Sequence, residues 1–301
     1  MKPSSQYSAS TSWSEKLKGI VFQWILLAAT LLGILSLFVL LVYVTLDAFA
    51  VFNVDQASWL TWELFSESYS RHPREAGLYP PLIGSILIIT SMTLSIFPLG
   101  VGAAIYLEEY ARDTLPKQII QINITNLAGV PSVVYGLLGL AIFNNVMGLE
   151  RGLVITAAFT LGFLVLPIVV VSAQEALRSV PESLRNASYG LGASRWQTIR
   201  NVVLPQALPG ILTGTILAVG RAVGETAPLI MIGVATTVFR APSGLLEKAS
   251  ALPLQIYAWA SFPQPEFRYG VVAASVVVLV GHMLIFNGMA VHIRDYFEAD
   301  H

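Results

Sequence analysis

The chain is 301 residues long, 55% hydrophobic and only 12% charged, with a mean hydropathy of +0.68. Soluble domains carry about 25% charged residues, so this is the composition of an integral membrane protein. Its 17 basic and 18 acidic residues give no general attraction to nucleic acid, and the lack of cysteine excludes disulfides, thiolate metal sites and cysteine nucleophiles.

Residues 1–19 are polar and rich in serine and read as a cytoplasmic tail. Crossing a hydrocarbon core of about 30 Å takes about 20 residues. Six segments qualify, near 20–46, 82–107, 119–143, 152–173, 208–234 and 269–291. They imply an all-α, polytopic membrane protein with one transmembrane domain over 20–292 and a short C-terminal tail over 293–301. Ala48-Phe49-Ala50 mimics a cleavage site, but the apolar run before it exceeds the roughly 7 to 15 residues of a signal h-region, so the first helix is read as retained. The stretch from about 47 to 81 is an outer loop to which the sequence assigns no role. Ten Lys and Arg fall on the side of the N-terminus and six on the other, which places both termini in the cytoplasm.

The second span runs into Tyr106-Leu107-Glu108-Glu109-Tyr110, and the third carries Gly129-Val130-Pro131-Ser132-Val133-Val134-Tyr135-Gly136. Pro131 inside a lipid-spanning helix should kink it and free a carbonyl, which is tolerated where it lines a cavity or a neighbour satisfies it. Ser132 and Tyr135 offer hydroxyls beside it. Helix packing alone also accounts for such a kink.

The polar connection from 174 to 207 is far longer than packed helices require, and it reads as a docking surface. Ser179 and Glu182 have capping-box spacing, which predicts the start of a short helix. Gly190 and Gly192 should end it. Trp196, Ile199 and Val203 recur at helical spacing and predict a second short helix that Pro205 ends. An amphipathic helix lying on the lipid surface is the alternative.

Arg221 falls near the middle of the fifth span, where a charge costs roughly 2.5 to 3.5 kcal/mol even on the lenient insertion scale. It must therefore face protein, water or substrate. Glu225, four residues on, shares its face. Gly214, Ala218, Gly220 and Gly224 make neighbouring surfaces small enough for close helix approach, and Pro228 frees the Gly224 carbonyl. Two readings stand: an ion pair that holds helices together, or an anion pathway. In the second, the guanidinium matches a tetrahedral oxyanion bidentately and the carboxylate keeps the hold weak. Tyr257 and Trp259 read as interfacial anchors, and His282 as a packing histidine. None of the five lysines lies in a phosphate-cradling loop of the P-loop type.

The 174–207 loop resembles the cytoplasmic loop of bacterial ABC importer permeases, with Asn186, Ala187, Ser188, Gly192, Val202, Leu204 and Pro205 at the family's motif positions. Asn186 stands where the family has Glu, Ser188 where it has Ala, and Val202 where it has Ile. Arg221 with Gly224-Glu225-Thr226-Ala227-Pro228, the motifs of the second and third spans, and Leu254-Gln255-Ile256-Tyr257-Ala258-Trp259 are similar to the A-type (PstA-like) permease of phosphate-specific ABC importers. That resemblance covers most of residues 80–292.

It implies a type I importer permease fold with a coupling helix in the 174–207 loop. The implied substrate is phosphate, with sulfate or molybdate as alternatives, and Arg221, Glu225, Thr226, Ser132 and Tyr135 would line the pathway. The implied partners are a second permease subunit, two P-loop ATPases and a periplasmic phosphate-binding protein, in a bacterial inner membrane. No cofactor is expected on this chain and no catalysis, because ATP and Mg²⁺ would sit on the ATPases. A proton-coupled carrier or an intramembrane enzyme using Glu225 and His282 is the rival class. The chain shows neither internal inverted repeats nor a nucleophile–base constellation.

Overall fold

The computed structural model describes residues 13–50 and 58–299. Residues 1–12 of the polar tail, 51–57 of the outer loop and the last two residues lie outside the description. In chain order the helices are α1 (Trp13–Ala48), α2 (Trp62–Ser66), α3 (Tyr79–Ile105), α4 (Leu115–Leu127), α5 (Ser132–Gly139) and α6 (Val154–Ser179). They continue as α7 (Glu182–Gly190), α8 (Arg195–Thr198), α9 (Leu204–Val223), α10 (Ala227–Met231), α11 (Leu252–Ala260) and α12 (Val272–Ala299). Among the described residues the β pairing is a single bridge between Leu153 and Lys248.

Five long helices are apolar enough to cross a membrane: α1, α3, α6, the continuous helix from Arg195 to Val223, and the helix that begins at Phe267 and includes α12. The boundaries read at 19 and 293 fall inside α1 and α12. The expected third span is different. It breaks between α4 and α5, and the two parts meet at 108°, because Pro131 caps α5 in an extended conformation instead of sitting inside a helix.

The expected fifth span is displaced in the same way. Pro205 does not end a helix; it lies in the first turn of α9. A π turn over Ile199–Val203 precedes it, and the Leu204 amide reaches back to the Ile199 carbonyl. The wider turn absorbs the proline that a regular helix would reject. At its other end the helix stops at Val223, so Arg221 occupies the last turn and not the middle of a span. A cation there meets the partial negative charge of the helix C-terminus.

The bundle core is α3, α6 and α9 held at short range by small residues. A Cβ on Gly100 would lie 2.7 Å from Val169 Cγ1, one on Gly162 2.8 Å from Ile96, and one on Gly214 2.3 Å from Ser172 Cβ. Ile88, Met92, Leu161, Leu164, Val219 and Val223 fill the space between. The α6 N-terminus would leave free amides. They are taken by the 244–249 loop: Val154 N–H donates to Glu247 O (3.0 Å) and Ile155 N–H to Leu245 O (2.9 Å). Ser243 stiffens that loop, its hydroxyl and then its amide holding the Glu247 carboxyl below the usual carboxylate range.

Beside it, the outer loop has a fold of its own. Trp59, Leu64, Ala76 and Leu78 pack with Trp259, Phe267 and Val271 in a second core, and Arg74 lies 4.0 Å over the Trp59 ring. This loop closes the end of the α12 helix. Trp259 is therefore buried, its ring tilted against Phe267 with centroids 5.9 Å apart, and is not an interfacial anchor; Tyr257 is exposed.

Two glycines on α3 should respond oppositely to alanine. At Gly84 an added Cβ would sit 2.0 Å from the Ser250 carbonyl oxygen, whereas at Gly102 it meets nothing within 4 Å. Gly84→Ala should lower stability by about 1–3 kcal/mol through forced backbone movement. Gly102→Ala should raise it by up to about 1 kcal/mol through helix propensity. Thermal unfolding of the purified chain in mild detergent gives both signs.

Candidate functional site

Two clusters of the sequence motifs stand at opposite ends of α9, about 25 Å apart at 1.5 Å per residue between Leu204 and Arg221. At the far end, the third-span motif and the Gly224–Pro228 motif come together. A Cβ on Gly136 would lie 2.8 Å from Pro228 Cα and 2.7 Å from Met231 Cβ, so only glycine lets α5 and α10 touch. The carbonyl that loses its i+4 donor at Pro131 belongs to Leu127; the Val130 amide donates to it at 3.0 Å and the Tyr135 hydroxyl at 2.7 Å. The expected hydroxyl partner is thus Tyr135, which is buried; Ser132 is half-buried at the start of α5.

Arg221 Nε lies 3.6 Å from Glu225 Oε1, with 48% of the arginine side chain exposed and 19% of the glutamate. This is a loose pair at the edge of salt-bridge distance. Gly136, next to Tyr135, lies against Pro228, which brings α5 to the break between α9 and α10, where Thr226 stands beside Glu225. The helix break brings a cation, a carboxylate and an open backbone turn to one place. An exposed guanidinium with a partner held at 3.6 Å can exchange that partner for an incoming oxyanion. Of the small residues expected to permit close approach, Gly214 meets α6 and Gly220 faces Asn287 of α12, while a Cβ on Gly224 would meet nothing.

At the near end, the polar connection itself is short. Residues 174–179 belong to α6 and the next long helix starts at Arg195, so the loop proper is 180–194. A short helix does follow, but α7 starts at Glu182 with Pro181 as its cap, two residues later than a Ser179 cap would place it, and the Ser179 hydroxyl bonds the Ala176 carbonyl instead. The capping box is one arm further on. Ser194 accepts from Gln197 N–H at 3.4 Å, and the Gln197 side chain accepts from Ser194 N–H at 2.8 Å. Its pattern, Ser-x-x-Gln, is readable in sequence. The α7 helix ends as expected: Gly192 has φ +83°, its amide donates to Tyr189 O at 2.9 Å, and Ala193 N–H donates to Ser188 O at 3.2 Å.

The motif residues divide by exposure. Asn186 and Ala187 are exposed, whereas Ser188 turns back, its hydroxyl 2.9 Å from that of the buried Thr198. Serine at this position therefore ties the two arms of the loop together. Leu204 and Pro205 are half-buried at the start of α9. Leu184, Tyr189, Leu191 and Trp196 stand exposed on the loop, Leu191 by 90%. Apolar groups concentrated on a protruding polar loop mark a contact surface.

What sequence reasoning did not assign is the acidic pair after the second span. Glu109 is buried and ion-paired with Arg185 of α7, and Arg185 also donates to the Leu177 carbonyl at 2.7 Å. Glu108 accepts from Arg178 Nε at 2.8 Å, and the Arg195 guanidinium lies 5.3 Å from the Tyr110 ring centroid. The signal was available: paired carboxylates at the end of an apolar span, and three arginines within the polar 174–207 stretch.

A bundle of long apolar helices, broken at an exposed cation and carrying an apolar docking loop at one end, is the architecture of a membrane permease subunit. Residues 82–295 match the model of the binding-protein-dependent transport system inner membrane component family. The chain belongs to that family. It is similar to the probable ABC transporter permease protein YqgI of Bacillus subtilis, 34% identical over 70% of this chain and 71% of that protein. It is likewise similar to the phosphate transport system permease protein PstA of Haemophilus influenzae, 36% identical over 69% and 73%, and to PstA 1 of Mycobacterium tuberculosis, 32% identical over 76% and 74%.

Among solved structures, it superposes on a chain of a bacterial alginate ABC transporter with a TM-score of 0.64 at 17% identity, covering 92% of this chain and 96% of that one. A chain of the inward-facing MetNI methionine ABC transporter gives 0.58 at 18% identity, covering 73% and 97%. The all-α importer-permease fold expected from the motifs is thus the fold observed.

Gly192→Val tests the loop. A β-branched residue held at φ +83° costs about 1–2 kcal/mol, small against the stability of the whole bundle and large for a short loop. The variant should insert and purify as the native chain does, yet lose most of the transport activity of its complex. Normal transport by a correctly assembled variant would remove the docking role from this turn.

Proposed function

We propose that this chain is the permease subunit through which an ATP-driven importer brings inorganic phosphate into a bacterial cell. In this reading it pairs with a second permease, two P-loop ATPases supply the power, and a periplasmic phosphate-binding protein delivers the substrate. Both termini lie in the cytoplasm, so the α7 loop faces the ATPases. The chain does not catalyse; it couples a movement of that loop to access at Arg221. The relatives named phosphate transport permeases support the substrate, and the exposed Arg221 beside Glu225 is the observation that carries the reading.

The pair gives a chemical basis for selection. Phosphate near neutral pH retains at least one proton, whereas sulfate is a dianion without one. An ionised Glu225 accepts a hydrogen bond from a phosphate hydroxyl and repels an anion that has none, which rejects the wrong guest by an unfavourable contact. Arg221 supplies the attraction through its planar fork. Thr226, Ser132 and Tyr135 complete the proposed pathway wall, and Asn186, Ala187, Ser188, Gly192, Leu204 and Pro205 the proposed coupling element.

The test is flux through a reconstituted complex made independent of the binding protein, which would otherwise mask selection in the membrane. Arg221→Lys keeps the charge and loses the fork; phosphate flux should fall by about tenfold, the worth of one charge-assisted hydrogen bond. Glu225→Gln should narrow the preference for phosphate over sulfate by a similar factor of about ten. Undiminished phosphate flux in Arg221→Ala sinks the pathway role, and loss of assembly in that variant makes the pair structural.

A further inference from the structure

The proposed permease function leaves open how a movement of the docking loop reaches Arg221. The contacts of α3 answer it. At one end, its continuation Tyr106–Tyr110 grips the loop through Glu109–Arg185 and holds the helices on either side of it through Glu108–Arg178 of α6 and the approach of Arg195 of α8 to Tyr110. At the other, Ser85 accepts the Leu252 amide at 2.8 Å, and Ile88 and Ile89 line one small gap with Ala222, Val223 and Leu229. Those last three flank Arg221 and the break that follows it. The two ends are about 30 Å apart along the helix, from Ile88 to Glu109.

We propose that α3 is the strut that carries motion of the docking loop to the Arg221 break, and that Glu109 is the positioning residue that engages it. Three features single out Glu109. It is 5% exposed while carrying a charge, so its partner is not optional. Its partner Arg185 is fixed a second time by the Leu177 carbonyl at the end of α6, which makes α7 move with α3 and α6 as one body. It is also buried, whereas Leu184, Tyr189, Leu191 and Trp196 are exposed, so it transmits docking without being part of the exposed apolar face.

Glu108 is the secondary hold. Its partner Arg178 is half-exposed, and solvent weakens such a pair. The inference rests on the permease reading but not on phosphate being the substrate.

The experiment uses the complete complex, with both permeases and both ATPases, in proteoliposomes supplied with the soluble binding protein and phosphate. Glu109→Gln keeps the shape and a hydrogen-bond acceptor and removes the charge. The complex should still assemble, with an unfolding temperature lowered because Arg185 loses its charged partner, while phosphate imported per ATP hydrolysed falls by about fivefold. Arg185→Gln should do the same, and the double substitution should be no worse than either single one.

Equal coupling in Glu109→Gln and native complexes overturns the proposal. So does failure of both single variants to assemble, which would make the pair a folding element only, or a double variant whose loss is the product of the two. The native complex run alongside separates the two readings. If it does not couple ATP to phosphate, the substrate assignment fails; if it does and the variants match it, the strut fails.

Discussion

Inside a bilayer no water is present to accept or donate a hydrogen bond, so every backbone group freed by a helix break must find its partner in the protein. The arrangement of this chain follows from that constraint. The Leu127 carbonyl, denied its i+4 donor by Pro131, is met by the Val130 amide and the Tyr135 hydroxyl, and the first amides of α6 are met by the 244–249 loop. Each repair pins a second segment in place. Breaks in the helices and contacts between distant parts of the sequence are therefore the same features seen twice.

The breaks are also where the chemistry sits. An unbroken helix through residues 208–234 would put Arg221 at mid-span, a cost of roughly 2.5 to 3.5 kcal/mol with no local compensation. Ending the helix at Val223 moves the arginine into the last turn, where the helix dipole favours it. Glycine and proline in Gly224–Pro228 thus do for electrostatics what Gly136 does for packing: they let polar groups and backbone approach where larger residues would keep them apart.

How much of this was legible follows from what each signal depends on. Apolar length is local, and α1, α3, α6 and α12 lie where the hydropathy runs placed them. The Gly192 turn is local too, because only its own φ decides it. Prolines were misjudged in both directions. Pro131 was read as a kink and makes a corner of 108°; Pro205 was read as a stop and is carried through. Their outcome depends on which neighbour can take the freed carbonyl, a tertiary fact. Ser179 had the spacing of a cap, but its hydroxyl found the closer Ala176 carbonyl. The Glu109–Arg185 pair joins residues 76 positions apart, and no local period announces it. The far-end motifs are each visible locally, but the contact of Gly136 with Pro228 is a tertiary fact that no local pattern announces.

The surface of α9 shows what kind of neighbour the chain requires. Gln206, Gly210, Leu217 and Arg221 are exposed and recur at intervals of four and seven, so they form one stripe along the helix. A lipid-facing stripe would be apolar throughout, and here it begins with an amide and ends with a guanidinium. The cost of setting those groups against hydrocarbon exceeds what exposed leucine recovers, so this face must meet water or another protein. The long part of α9 otherwise contacts α6, α12 and α3. The chain therefore presents a stripe with polar ends on one helix, with Arg221 at the end farthest from the 180–194 loop. The loop grips α3, the interior of α9 packs on α3, and the open stripe is the side of α9 that such a grip would displace.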